Sequence, residues 1–482
     1  MISMSQSLVA QSPRLTPRPV PIASYAIMGS VVLLFMALVA QAFFRTGLAS
    51  WSVGLVYIAY DTALLIFTAS KTHRLVQPTS ANAFIATPGQ TRPSLGVIIA
   101  AHNEARVLGI TIDTLTAQSD PPDLILIADD GSSDDTPAEL MRLYGLAMPT
   151  LGAISDPAPG LPILRWLRVP HGGKARALNE AIQQIDTDVV LTVDADTLLD
   201  PGALAAMRGA FAQERSLVAA TGVLTPICGP TLSGRIFQWF QTYEYVRNFL
   251  SRYAWMRVDS LLLISGAFAA FRRDALITVG GFDPACMVED YELIHRLHRH
   301  AADQGLGWTI RVIGAATART DAPASLMAFL RQRRRWFGGY LQTQYWNRDM
   351  IGNPHFGSLG TAQMPVKTLD TVQPIYGIAA FIILVTLVVT GNFLLARPIL
   401  VVMIVKIVFD LAYHLWSLRL YARWTGNSEG LGTGWAIVAA VLEPFTFQLL
   451  RHIGATWGWY SFLTGRETWG RQRRTAIEGA GR

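Results

Sequence analysis

The chain is 482 residues long, 51% hydrophobic and only 15% charged, against a usual ~25% charged, a balance that excludes a disordered or purely soluble protein. Forty Lys and Arg against 34 Asp and Glu leave a net charge of +6, which suits an anionic bilayer, a phosphorylated substrate or nucleic acid until the charges are placed. Two cysteines without CxxC spacing, Cys228 and Cys286, exclude a disulfide framework and a zinc site and agree with a reducing cytosol.

Residues 1–22 are polar and proline-rich and read as a disordered tail. Tyr25 to Phe44 is apolar and long enough to cross a ~30 Å hydrocarbon core, and Val53 to Ala69 follows after a short turn. Residues 23–72 therefore read as a transmembrane hairpin. Arg14 and Arg18 precede it and Lys71 and Arg74 follow it, so both ends are expected in the cytoplasm. The next apolar crossings begin near Pro374, leaving a long cytoplasmic segment between.

Within residues 90–322, Leu95 to Ala101, Asp123 to Asp129 and Asp188 to Asp194 are short, continuously apolar runs, the pattern of strands buried on both faces of a parallel sheet. Helical stretches separate them at Val107 to Gln118, Thr136 to Leu146 and Lys174 to Ile185, which gives an α/β sheet domain with crossover helices. Chemistry in such sheets lies beyond the carboxyl ends of the strands. The first strand ends in AHNEA, with Glu104, and the second in ADDGSSDDT, with Asp129 and Asp130. Paired carboxylates before Gly-Ser-Ser and a helix serve either a nucleoside or a turn and helix cap. The third strand ends in Asp194-Ala195-Asp196, a pair that can hold a hard divalent cation or simply solvate a loop. Between them HGGKARALNEA places Lys174 at a helix start, where a phosphate would meet it, although neither a Walker loop nor a GxGxxG turn is present.

Glu289 and Asp290 open another helix, so Asp290 is an N-cap or a general base. His295, His298 and His300 follow beside arginines and read as a solvated face. Residues 323–372 read as interfacial amphipathic helices. There Gln332, Arg335 and Trp336 share one helical face, with Leu326, Leu330, Phe337 and Leu341 directed to lipid and Arg331, Arg333 and Arg334 among headgroups. Residues 373–464 form the C-terminal membrane region, Ile375 to Leu395 and Pro398 to Leu418 both being long enough to span. Gly434 to Leu463 is either a short hairpin or one span with an interfacial helix. Lys406, Asp410 and His414 form a stripe of ionisable groups that docks helices or lines a wet channel. Residues 465–482 read as a basic cytoplasmic tail. The basic excess thus gathers beside membrane segments, which argues against nucleic acid.

The order AHNEA, ADDGSSDDT, HGGKARALNEA, DAD, ED and QRRRW between membrane helices resembles the processive, membrane-embedded family-2 glycosyltransferases: cellulose, hyaluronan, chitin and poly-N-acetylglucosamine synthases. The resemblance covers residues 50 to 475, and its QxxRW element is the discriminating one. It implies a GT-A fold, a Rossmann-like mixed sheet inserted between transmembrane α-helices, in a multi-pass protein of a bacterial inner membrane. By the same resemblance Glu104, Asp129 and Asp130 contact the nucleoside of a UDP-sugar, either UDP-glucose or UDP-N-acetylglucosamine, and Lys174 its uridine or phosphate side. Asp194 and Asp196 lie at Mg²⁺ or Mn²⁺, Glu289 adjoins the substrate and Asp290 is the base. Gln332 and Arg335 hold pyrophosphate, while Trp336 stacks on the acceptor sugar of a growing polysaccharide.

The function implied is inverting synthesis and export of a β-linked polymer, with membrane lipid around it and accessory export subunits as further partners. Addition of a single sugar to a lipid acceptor is the alternative. Two departures stand out: Val288 replaces the usual Thr before Glu-Asp, and ETWGR replaces a Trp-Gly-Thr-Arg gating loop, leaving Trp469 and Arg471 as gating candidates. The length after residue 464 implies no PilZ module and no direct cyclic-di-GMP control within this polypeptide.

Overall fold

The computed structural model describes residues 3–45, 47–75, 92–391, 393–426 and 432–465. In chain order the described elements are α1 (Met4–Gln11), α2 (Ile22–Phe44), α3 (Ser52–Thr72), β1 (Leu95–Ala101), α4 (Leu108–Thr116), β2 (Leu124–Asp129), α5 (Thr136–Tyr144), β3 (Leu164–Arg168), α6 (Lys174–Gln184), β4 (Val189–Asp194), β5 (Thr197–Leu199) and α7 (Ala203–Gln213). They continue as β6 (Leu217–Ile227), α8 (Leu232–Met256), β7 (Phe268–Arg272), α9 (Arg273–Thr278), α10 (Glu289–Gln304), β8 (Thr309–Asp321), α11 (Leu326–Trp346), α12 (Met364–Val389), α13 (Phe393–Thr425), α14 (Thr433–Leu442) and α15 (Phe447–Thr464).

The β-branched apolar runs pair as one sheet of order β3-β2-β1-β4-β7-β6-β8-β5. β1 to β4 are parallel, with Ala101 opposite Asp129 and Ala100 opposite Asp194, so their chemistry-bearing ends leave the sheet side by side. β7 then runs antiparallel to β4 and β6, and β8 parallel to β6. The sheet is therefore mixed. The sequence reading contains β1, β2 and β4 to within one residue and lacks β3 and β5 to β8.

Among the described residues, four helical stretches are long and apolar enough to cross a bilayer: Ile22–Phe44, Leu48–Thr72, Leu359–Val389 and Ala396–Thr425. They flank the sheet domain, and the protein is membrane-associated. The stretch left open in the sequence is a pair, Gly434–Phe445 and Phe447–Thr464, bent by 45° at Thr446, whose φ −127° and ψ −84° leave the helical region just after the turn containing Pro444.

Three expectations are corrected. The described part of residues 1–22 is not a disordered tail: Ser3 and Gln6 form a capping box on α1, and Arg14 and Arg18 pair with Asp283 and Asp303. Those partners lie 269 and 285 residues away along the chain, beyond the reach of a local composition argument. Second, α11 does not lie bare on a leaflet. Leu326 and Arg331 are exposed, but Leu341 and Arg333 are buried because α15 packs along α11. A Cβ on Gly454 would come within 2.6 Å of the Arg333 Cβ, and one on Gly458 within 3.0 Å of the Arg334 carbonyl, so only glycine permits this approach.

Third, the α10 histidines are not solvated. His295 is fully buried, with Nδ1 donating to the Tyr291 carbonyl at 2.9 Å, and His298 reaches the Leu261 carbonyl at 2.9 Å. Burial, with positive neighbours such as Arg299, pushes the His295 imidazole down to about 3. An unfolded chain binds that proton near pH ~6.5, so His295 contributes stability above that pH which is lost as the pH falls toward its folded value. We expect His295→Gln to flatten the decline in thermal midpoint between about pH 7 and 5, where the histidine costs up to ~2 kcal/mol. An unchanged slope would contradict this.

Candidate active site

The loops after β1 and β2 are built as one unit. Asn103, at φ 59°, turns its Oδ1 to accept the N–H groups of Ser133 (2.8 Å) and Asp134 (3.1 Å), and Thr136 Oγ1 accepts from the Glu104 N–H at 2.9 Å. Of the two aspartates, Asp129 is fully buried and holds the turn, accepting from the Ser132 N–H (2.8 Å) and the Trp166 indole (3.2 Å). Its carboxylate therefore supports the site from inside and does not face it. Asp130 accepts the Gly172 and Gly173 N–H groups at 2.7 and 2.9 Å, binding HGGKA to the second loop. Gly131 (φ 65°) makes this possible, since a Cβ there would come within 2.9 Å of the His171 nitrogen. His102 and His171 both donate from Nδ1 to the Asp130 carbonyl, at 2.8 and 3.1 Å, and their rings stack at 4.3 Å. Among the described residues, donor atoms of His102, Asp130 and His171 lie within 4.8 Å of one another, a grouping open to a d-block metal.

Lys174, the first residue of α6, gathers the next set. Its Nζ lies 2.5 Å from Asp194 Oδ1, 3.7 Å from Glu289 Oε1 and 3.4 Å from the Gly266 carbonyl. Burial opposes the ammonium, but Asp194 and Glu289 outweigh it and hold the lysine above its usual range. Asp196 is 8% exposed; burial first, then Asp194 and Asp321, raise its carboxyl well above the carboxylate range. Burial pushes Asp321 up to about 7 as well. Asp321 ends β8 and donates its N–H to the Asp196 carbonyl at 3.2 Å, and the sequence reading passes over it. One lysine thus faces more carboxylates than it can neutralise. A hard divalent cation fits this oxygen-rich, charge-deficient cluster.

Asp290, at the start of α10, is tied to the same Gly266 turn, its Oδ2 accepting the Gly266 N–H at 2.7 Å and its Oδ1 the Tyr291 N–H at 2.8 Å. It is a cleft residue in the first turn of α10 and not the helix N-cap, which is Val288. Glu289 is buried, and burial raises its carboxyl while Lys174 and Arg335 oppose the rise. Arg335 therefore belongs to this cluster. Gln332 is 8% exposed and its buried Oε1 has no hydrogen-bond partner among the described residues. Trp336 carries the Arg333 guanidinium 4.6 Å from its ring and borders a cavity of about 560 Å³ between membrane helices, with Phe337 and Tyr340. Trp469 and Arg471 lie outside the described residues.

Residues 93–339 match the family described as glycosyltransferase like family 2. The chain belongs to glycosyltransferase family 2. It is 27% identical over 291 residues to a poly-β-1,6-N-acetyl-D-glucosamine synthase of Staphylococcus aureus, covering 60% of this chain and 63% of that one. It is 28% identical over 265 residues to a β-monoglucosyldiacylglycerol synthase of Synechocystis, covering 53% and 50%. These alignments span less than two thirds of either relative. A mannosyltransferase from Pyrobaculum calidifontis in complex with GDP-mannose and Mn²⁺ shares the fold, with a TM-score of 0.55 at 19% identity, over 82% of this chain and 99% of that one. The mixed sheet of this family-2 protein is accordingly of GT-A type.

The charge imbalance around Asp196 generates a prediction. Asp196→Asn should raise the thermal midpoint of cation-free protein, because a disfavoured buried carboxylate is removed, and should abolish stabilisation by Mn²⁺. Wild type should gain about 1.4 kcal/mol at roughly ten times the cation's Kd. An equal gain in the variant, followed by differential scanning fluorimetry, would place the cation elsewhere.

Proposed function

We propose that this protein is an inverting glycosyltransferase that moves a sugar from a UDP-sugar, UDP-glucose or UDP-N-acetylglucosamine, onto the end of a growing β-linked polysaccharide. The observation that carries the reading is the cavity beginning at Trp336 and continuing between the membrane helices past Trp51, Phe381 and Lys406. Its cations are all paired: Lys406 with Asp61 and Asp410, Arg247 with Glu443, Arg451 with Glu443 and Glu244, and Arg333 with Glu244. The lining carries four cations and three carboxylates, Asp61, Asp410 and Glu443, and the buried Glu244, outside the lining but paired with Arg333 and Arg451, brings the net charge to zero. Such a lining, with aromatic faces among polar groups, suits a neutral glycan better than a lipid phosphate.

In this reading Asp290 takes the proton of the attacking sugar hydroxyl, its carboxylate aimed by the Gly266 and Tyr291 N–H groups. Lys174 and Arg335 bind the diphosphate oxygens, Gln332 supplies a further polar contact, and Trp336 offers an apolar face to the acceptor ring. Glu104 and Asp130 contact the nucleoside from the paired loops, while Asp129 keeps that turn in shape. Asp194 and Asp196 would hold Mg²⁺ or Mn²⁺, whose charge offsets that developing on the departing diphosphate. One base and no covalent step imply inversion at the anomeric carbon. Arg14 and Arg18 before α2 and Lys71 at the end of α3 support a cytoplasmic catalytic domain in a multi-pass inner-membrane protein. The growing chain would leave through the cavity, with accessory export subunits beyond it.

Purified protein in nanodiscs, given labelled UDP-sugars and Mn²⁺, should release UDP and form a water-soluble β-linked polymer. Asp290→Asn should lower kcat by about 10²–10⁴-fold. A single sugar on extracted lipid as the sole product would select the lipid-acceptor alternative and overturn the polymerase reading.

A further inference from the structure

The loop that delivers Asp290, residues 279–288, is held from three sides. Arg296 donates to the Val279 and Gly281 carbonyls at 2.5 and 2.6 Å, and Asn179 bonds both the N–H and the carbonyl of Phe282 at 2.8 Å. On the α11 side, Gln342 accepts the Met287 N–H at 3.2 Å. The third side is the N-terminal segment. The backbone of α1 lies so close to Gly280 that a Cβ there would come within 2.2 Å of the Leu8 nitrogen, and Met4 Sδ sits 3.1 Å from the corresponding position at Gly281. Arg14 then forms two hydrogen bonds of 2.9 Å to Asp283, which is fully buried, with Ser12 Oγ 3.5 Å away.

Asp283 is the hinge pin of this loop. Its Oδ1 also accepts the Ala285 N–H at 2.9 Å and its carbonyl accepts the Cys286 N–H at 3.1 Å, four residues before Asp290. The Arg14 guanidinium lies 5.7 Å from the Trp346 ring at the end of α11, Arg18 pairs with Asp303 at the end of α10, and Ser24 in α2 donates to the Arg348 carbonyl at 2.6 Å. A single strap therefore joins the first membrane helix to both ends of the machinery that the proposed reaction uses.

We propose that residues 3–24 are a positioning strap and that Arg14, acting through Asp283, is a positioning residue for Asp290. The inference rests on Asp290 being the base. A buried carboxylate deprived of its bidentate partner is no longer compensated, so loss of Arg14 loosens the 283–288 turn and misplaces Asp290. The β1 and β2 loops that bind the nucleoside lie on another part of the sheet edge and keep their hydrogen bonds.

The test is steady-state kinetics of full-length Arg14→Ala and Arg14→Lys in nanodiscs, with UDP affinity measured by calorimetry as the check on folding. Arg14→Ala should lose roughly ten- to a hundredfold in kcat, with KM for the donor and UDP affinity within about twofold of wild type. Arg14→Lys should recover part of the loss. Asp283→Asn, which keeps the shape and the Ala285 hydrogen bond, should lower kcat in the same direction without loss of UDP binding. Unchanged kcat in Arg14→Ala, alongside an inactive Asp290→Asn, would overturn the strap while leaving the base intact. Full activity in Asp290→Asn would instead overturn the reading on which the strap rests. A parallel loss of kcat and UDP affinity in both Arg14 variants would reduce the strap to a general stabilising element.

Discussion

The cleft depends on one ammonium. Lys174 stands among carboxylates contributed by β4, the β4–β5 turn and the start of α10, and without it Asp194, Asp196 and Glu289 would repel one another at low dielectric. Because Lys174 is the first residue of α6, its position follows from Gly172 and Gly173, whose N–H groups are held by Asp130. The loop after β2 and the acidic cleft are thus a single mechanical unit. Its residual negative charge is also what makes a divalent cation a natural component.

A second chain of charges runs from this cleft into the membrane part. Arg333, between Gln332 and Arg335 in sequence, turns away from them to form a bidentate pair with Glu244, and Arg451 passes the connection to Glu443. Buried pairs of this kind add little net stability, but breaking one member is costly. Their effect is to fix the rotation of α11, and with it the face on which Arg335 and Trp336 stand. The glycines of α15 allow the close packing that completes this register.

Legibility in the sequence followed the range of the physics. β1, β2 and β4 are continuous apolar runs because both faces are covered, and that signal is local. β8 is buried at alternate positions, but its inward residues include Gly314, Ala316, Ala318 and Thr320, so the period carries little hydropathy contrast. Asp321 at its end was hidden for the same reason. The paired aspartates were visible, yet which of them faces the cleft depended on Trp166 in a strand that the pattern did not reveal. His295 and the arginines of α10 look like a polar face in sequence. Their partners, Glu292 beside Arg296 and Asp349 beside Arg299, are what permit burial. The N-terminal strap illustrates the limit: proline and polar composition spoke for disorder, and only the folded domain supplies Asp283 and Asp303.

The central claim is that the acidic cleft, Asp290 and the cavity at Trp336 serve one reaction path. An electron-cryomicroscopy structure of Asp290→Asn protein isolated with its product, in the presence of UDP and Mn²⁺, tests it most directly. The account predicts nucleotide density between Asp130 and Lys174, and glycan density that meets Trp336 and continues toward Lys406. Nucleotide bound away from Lys174, or a cavity at Trp336 filled by an acyl chain, would contradict it.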